Sequence, residues 1–299
     1  AIEHWTRIPV EVEVASEFRY RDPIITATTL VVTISQSGET ADTLMAIRHA
    51  REQHAKVVSI CNTNGATIPR ESDAVIYTHA GPEIGVASTK GFTTQLIACY
   101  LLGLYLAQVR GTKYGDEIVS LVEELEALSG KMDEVLHDLE PTLALARELM
   151  SVPSVLFLGR HVGFPVALEG ALKLKEISYL HAEGFAAGEL KHGPIALVED
   201  GLPIFIVVPP QGRDQLHDKV VSNIQEVRAR GARTIVLAER GDAEAAAFAD
   251  TFLPLPVVPT LFQPVLAILP LQVFACEVAT LKGYDVDQPR NLAKSVTVE

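Results

Sequence analysis

Short apolar runs rich in Val and Ile recur along the chain, and most lead into a stretch with helical period. In the first half the runs lie at Val10–Ala15, Thr29–Ser35, Lys56–Cys61 and Ala74–Thr78, with helical patterns at 39–54 and 88–109. In the second half they lie at Val155–Gly159, Pro203–Val208, Thr234–Ala238 and Thr251–Leu255. Alternating strands and helices predict an α/β fold whose parallel sheets are covered by helices on both faces. A polar–apolar helical tract, 115–149, joins the halves.

The two halves repeat. "AREQHAKVVSI" (50–60) matches "VRARGARTIVL" (227–237), and "DAVIYT" (73–78) matches "DTFLPL" (250–255), both at an offset of 177 residues (227 − 50 and 250 − 73). Each pair runs from a helix end into a strand, which indicates an internal duplication. By the same offset, the counterpart of the strand at 155–159 would precede residue 1. The first unit is therefore expected to lack its first strand and the loop that follows it.

Hydrophobic residues make up 48% of the 299 positions and charged residues 21%, enough to bury a large core. The longest apolar stretches, 93–109 and 264–281, are interrupted by Thr, Gln, Pro or Glu and read as buried helices, not membrane spans. The formal net charge of −13 and the lack of a basic stripe disfavour a nucleic-acid partner, while leaving room for a local anion site. Cys61, Cys99 and Cys276 are far apart and set in apolar sequence. Small core thiols of a reducing, cytoplasmic protein are expected, with no metal spacing.

One junction stands out. The run Val31–Ile34 stops at Ser35-Gln36-Ser37-Gly38-Glu39-Thr40, where a helical pattern begins. The carboxyl end of a parallel strand meeting a helix amino terminus is where open α/β sheets bind ligands, and the helix end favours phosphate. Ser35, Ser37 and Thr40 supply hydroxyls, Gln36 an amide, and Gly38 close backbone approach. An ordinary N-cap needs only one hydroxyl. The matching loop of the second unit, "PPQGRDQ" (209–215), has none, so a single phosphate site in the first unit is expected. In a second loop, "GPEIGVASTKGF" (81–92), Ser88 can cap the following helix or reach the same ligand, and spacing favours the cap.

"SQSGETADT", "GPEIGVASTKGFTTQL", "EGALKLKEISYLHAEGFAAGELKHGP" and "DQPRNLAKSVTVE" together resemble the sugar-isomerase half of the glutamine–fructose-6-phosphate aminotransferases (isomerising), over essentially the whole chain. "SQSGE" alone marks the broader sugar isomerase (SIS) superfamily. The resemblance implies two tandem flavodoxin-like SIS subdomains, here 1–149 and 150–286, with a catalytic tail at 287–299. It implies conversion of fructose 6-phosphate and glutamine-derived ammonia to glucosamine 6-phosphate, the first step of hexosamine synthesis, with no cofactor or metal. It also implies a homodimer and an N-terminal glutaminase domain, which this sequence does not contain, any more than the family's "CGTS" loop.

On the residues, the resemblance puts the phosphate on Ser35, Gln36, Ser37 and Thr40, with Ser88 and the backbone near Val86 around the sugar. Glu169, Lys173 and Glu176 share one face of a helix, within about sixty degrees of arc, and by spacing alone read as a solvated ion-paired stripe. The otherwise apolar helix argues for burial, and the resemblance makes Glu176 the base that moves a proton between C1 and C2. Lys173 would orient it and Glu169 would hold Lys173. His192, before Gly193-Pro194, reads as a turn residue, although an imidazole with a pKa of about 6.5 is a competent proton carrier. In the family this histidine opens the sugar ring from the neighbouring subunit. Lys294 reads by composition as a solvated tail lysine, whereas the resemblance makes it the amine that forms a Schiff base with the open sugar. Two alternatives stay open: a non-catalytic phosphosugar-binding module, and a phosphosugar isomerase without amination.

Overall fold

The computed structural model describes residues 1–212 and 215–297. The chain forms two compact units, Ala1–Leu121 together with the tail from Arg290, and Val122–Pro289. The sequence-based boundary at 149/150 falls later than this division, which runs through a helix, Gly115–His137. The expected tail at 287–299 ends in Val298 and Glu299, and the loop 209–215 contains Arg213 and Asp214. These four lie outside the described residues.

The first unit is built on a parallel sheet of β1 (Leu30–Ser35), β2 (Lys56–Cys61) and β3 (Ala74–Tyr77), in that order. Its helices are α1 (Ile2–Thr6), α2 (Ala15–Arg21), α3 (Ala41–Glu52), α4 (Thr67–Glu71) and α5 (Lys90–Arg110). β-Branched residues suit the strands, and Val57 packs under Ile47, Ala50 and Ile68. Trp5 of α1 meets Tyr100 of α5 edge-on at 6.0 Å. The linking tract divides into α6 (Gly115–His137) and α7 (Glu140–Leu149). Pro141 occupies the first turn of α7, where a missing N–H costs nothing but from which α6 cannot continue.

The second unit has a five-stranded parallel sheet, β5-β4-β6-β7-β8. The strands are β4 (Ser154–Gly159), β5 (His181–Ala186), β6 (Pro203–Val207), β7 (Arg233–Glu239) and β8 (Thr251–Leu255). The helices are α8 (Gly163–Ser178), α9 (Leu216–Arg228), α10 (Ala243–Ala246) and α11 (Gln263–Leu281), with a 3₁₀ turn at Ala187–His192. Phe157 stacks on Phe205 at 4.9 Å, and Phe205 leans on Phe274 of α11 at 4.8 Å. Gly170 lets α8 lie close to this core, since a Cβ there would come within 2.6 Å of Leu271.

Two stretches, Lys90–Arg110 and Thr260–Leu281, are long and apolar enough to cross a membrane by length and composition. In α11 the apolar surface goes into the core of its own unit. Burial pushes the Cys99 thiol up to about 11 and raises those of Cys61 and exposed Cys276. Cys276 is thus not the core residue that its apolar sequence suggests.

The duplication is visible in the strands. β2 and β7 begin 177 residues apart (233 − 56), as do β3 and β8 (251 − 74), while β1 and β6 begin 173 apart (203 − 30). The register agrees, with Leu30 opposite Lys56 and Pro203 opposite Arg233.

The expected strand at Val10–Ala15 does not form. Residues 10–14 are irregular, α2 begins at Ala15, and Val12 and Val14 are exposed. The same region of the second unit explains why. There β5, unrecognised in the sequence because "HAEGFA" is short and holds a glycine, is an edge strand paired with β4 alone. Among the described residues no strand lies beside 10–14, so its alternating valines have no ladder to join. "ASEFRYRDP" (15–23) and "AGELKHGP" (187–194) then follow the two segments as related helical turns.

Phe157→Ala should destabilise the second unit by about 3–5 kcal/mol, because the ring lost is fully buried and stacked on Phe205. Equilibrium denaturation followed by tryptophan-independent circular dichroism measures it, and a loss below about 1 kcal/mol would contradict the packing described.

Candidate functional site

In the first unit Ser35 closes β1, and Ser37, Gly38 and Thr40 carry the chain into α3. Ser35 is buried and its Oγ accepts the Gly38 N–H at 3.0 Å and lies 3.4 Å from Thr40 Oγ1. Ser37 Oγ accepts the Glu39 N–H at 3.2 Å. Gln36 offers its backbone carbonyl to Thr63 Oγ1 at 3.3 Å. Gly38 has φ +71, and a Cβ there would fall 2.6 Å from the Ala66 Cβ. Only glycine fits both the left-handed backbone and the space. Thr40 is the N-cap of α3 but makes no side-chain cap bond. The hydroxyls are therefore gathered in the loop rather than spent on capping the helix, as an anion cradle at a positive helix end requires.

The C-terminal tail belongs to this same unit. Ser295 Oγ shares a hydrogen bond of 3.1 Å with Ser37 Oγ, and the Ala41 N–H donates to the Val296 carbonyl at 3.2 Å. Lys294 donates to the Gly85 carbonyl at 2.6 Å and to Glu83 Oε2 at 3.1 Å. Glu83, with a side chain only 4% exposed, also accepts the N–H groups of Thr89 and Gly91 at 2.9 and 3.0 Å. Burial alone would push its carboxyl up, but the two amides and the Lys294 ammonium outweigh burial and hold it below the usual range. Ser88 does not cap α5. Its hydroxyl donates to Glu83 Oε2 at 3.1 Å, and Glu83 takes the amide bonds at the helix start that a cap would take. Val86 lies in the same irregular loop, partly buried.

Glu83 and Ser295 are absent from the sequence-based site. The available signal was the single carboxylate inside "GPEIGV", a glycine- and proline-bearing loop where an acid has no helix or strand to decorate.

In the second unit Glu169, Lys173 and Glu176 lie on α8. Lys173 Nζ is 2.6 Å from Glu176 Oε2 and 3.3 Å from Glu169 Oε1. The Lys173 side chain is 5% exposed, so the row is not a solvated stripe. Burial pushes the Glu169 carboxyl up against the pull of Lys173, and the nearby Glu176 charge adds to the rise. A buried ammonium between two carboxylates leaves one negative charge in excess. His192 is exposed at the end of the 3₁₀ turn, before Gly193 with φ +141. The hydroxyl loop and Lys294 are thus gathered in the first unit, and the carboxylate–amine row and His192 belong to the second.

The SIS domain profile matches residues 1–105 and 148–282. The chain is 70% identical over 300 residues to a glutamine–fructose-6-phosphate aminotransferase (isomerizing) of Streptomyces coelicolor, covering all of this chain and 49% of the relative. It is 68% identical to the protein of the same description in Corynebacterium diphtheriae, again over all of this chain and 48% of the relative. The chain thus spans about half the length of the curated relatives it matches. Among solved structures, the C-terminal domain of glucosamine-fructose-6-phosphate aminotransferase from Francisella tularensis superposes with a TM-score of 0.91 at 42% identity. That match covers 96% of this chain and 81% of that one. Tagatose-6-phosphate ketose/aldose isomerase of Escherichia coli shares the fold at a TM-score of 0.76 and 16% identity, covering 98% and 79%.

Glu83→Gln should release the tail. Removing the charged partner of Lys294 is expected to speed amide hydrogen exchange across residues 292–297 by about tenfold. Unchanged protection there would show that the tail is held without this ion pair.

Proposed function

The chain belongs to the SIS domain family, and on that premise we propose that it is the sugar-isomerising half of an enzyme making glucosamine 6-phosphate from fructose 6-phosphate and glutamine-derived ammonia. The observation that carries this reading is the seat of Lys294. A tail lysine with no role would be solvated. This one is drawn onto the loop of Ser88, while the next residue, Ser295, bonds the hydroxyl loop at Ser37. An amine held next to a phosphate cradle suits Schiff-base chemistry on a phosphorylated ketose. Neither a plain isomerase nor a binding module needs it.

In the proposed reaction the phosphate rests on the hydroxyls of Ser35, Ser37 and Thr40, the Gln36 amide and the amino terminus of α3. Ser88 and the backbone near Val86 bound the sugar. His192, exposed in its own unit, is lent to the neighbouring subunit of a dimer and moves the proton that opens the ring. The Lys294 amine adds to the C2 ketone and water leaves, forming the imine. Ammonia then takes the place of the lysine at C2 and frees it. Glu176 removes a proton from C1 and returns it to C2, while the C1 hydroxyl gives up its proton and the imine nitrogen gains one, leaving an aldehyde at C1 and the amine at C2. Lys173 holds Glu176 at 2.6 Å and is itself held by Glu169, so the base keeps one orientation through the transfer. The ammonia would come from a glutaminase domain joined to this half, in a cytoplasmic enzyme.

Two measurements on the full-length enzyme test this. Ser35→Ala and Ser37→Ala should each weaken fructose 6-phosphate binding by about tenfold, the worth of a hydrogen bond to a charged group. Borohydride added with fructose 6-phosphate should leave a hexitol phosphate on Lys294, visible by peptide mass. A folded enzyme that binds the sugar but yields no adduct there would refute the Schiff-base role.

A further inference from the structure

A second cluster of chemical groups lies outside that machinery, in the second unit. His217 stands in the first turn of α9, is 2% exposed, and has its Nε2 2.7 Å from Asp242 Oδ2, also buried. Asp242 is the N-cap of α10, its Oδ1 accepting the Ala245 N–H at 2.9 Å. This carboxylate accepts the Nε2–H hydrogen bond and fixes the imidazole from behind, with Nδ1 on the opposite side of the ring. Nδ1 is buried and, among the described residues, has no hydrogen-bond partner. It faces Asp218 Oδ1 at 3.6 Å and Glu244 Oε2 at 3.9 Å, too far for hydrogen bonds, and ligand atoms of the three residues all lie within 4.8 Å of one another.

A buried ring nitrogen facing two carboxylates is met by a proton or by a bound cation, and separations of 3.6 and 3.9 Å are too long for an Nδ1–H bond to either carboxylate but suit a cation between them. Two atoms bound to one ion at about 2.1 Å in tetrahedral geometry lie roughly 3.4 Å apart, close to both measured separations from Nδ1. Asp218 and Glu244 are 73% and 52% exposed, so their side chains are free to close the remaining gap. A carboxylate on the far nitrogen of a ligating histidine is the usual outer support of a metal site.

The internal repeat supplies an independent argument. The repeat sets α9 on α3, whose starts lie 175 residues apart (216 − 41), and α10 on α4, 176 apart (243 − 67), so His217 and Glu244 stand at the helix starts equivalent to those beside the hydroxyl crevice of the first unit. The equivalent crevice of the second unit also lies beyond the carboxyl ends of parallel strands, where such sheets bind ligands. It has exchanged hydroxyls for an imidazole and carboxylates, which reverses the sign of the ion it suits.

We propose that His217, Asp218 and Glu244 bind a divalent first-row transition cation, positioned by Asp242, which ties the start of α9 to α10. One imidazole with two carboxylates suits zinc better than magnesium or calcium, which prefer oxygen ligands alone. The test uses the full-length protein stripped with EDTA and titrated with Zn²⁺ against a chromophoric chelator, with thermal melts in parallel. One zinc per chain is expected, with a raised melting temperature. The Asp218→Asn, Glu244→Gln double variant alters exposed side chains only and should bind at least about tenfold more weakly. Asp242→Asn keeps the helix cap and should weaken binding by about 10–100-fold. Equal zinc affinity and stoichiometry in the wild type and the double variant, or no zinc bound by the wild type, would overturn the proposal.

Discussion

The first unit depends on one buried carboxylate. Glu83 is almost wholly shielded from water, and a lone charge there would be costly. Two backbone amides at the start of α5, one hydroxyl and one ammonium meet it. Because the ammonium is that of Lys294, the charge that organises the loop also draws in the tail, and the tail then reaches the hydroxyl loop through Ser295 and Val296. Segments about two hundred residues apart in sequence are joined by one electrostatic requirement.

The second unit answers the same requirement differently. Lys173 is buried on a largely apolar helix, so its charge must be met by its own neighbours. Spacing of four and three residues puts Glu169 and Glu176 within reach. The row is local in sequence and rigid because α8 is clamped between β5 and α11, with Gly184 and Gly170 allowing both to approach closely. Removing Lys173 would leave two neighbouring carboxylates uncompensated, so position and charge are coupled along the row.

The duplicated scaffold carries different chemistry in its two crevices. Strand register is shared between the units, yet the loop after β1 holds hydroxyls, while the helix after β6 opens on an imidazole with carboxylates nearby. Loops at the carboxyl ends of strands change without disturbing the ladder or the core, so one architecture presents different chemical groups at equivalent places.

What could be read from the chain follows the range of the interactions concerned. The strands at 56–61, 74–77, 203–207 and 251–255, the loop Ser35–Thr40 and the i, i+4, i+7 row on α8 are set by neighbours in sequence, through alternation, turn chemistry and helical period. Their residue types alone determined them. Residues 10–14 show the converse: their alternation was real, but a strand exists only beside another strand, and that partner is not a local property. The same holds for β5, for the burial of Lys173, for Glu83 in place of Ser88 at the start of α5, and for the seat of Lys294. Each is decided by which distant groups exclude water from a charge or complete a backbone ladder, and only the folded chain brings those groups together.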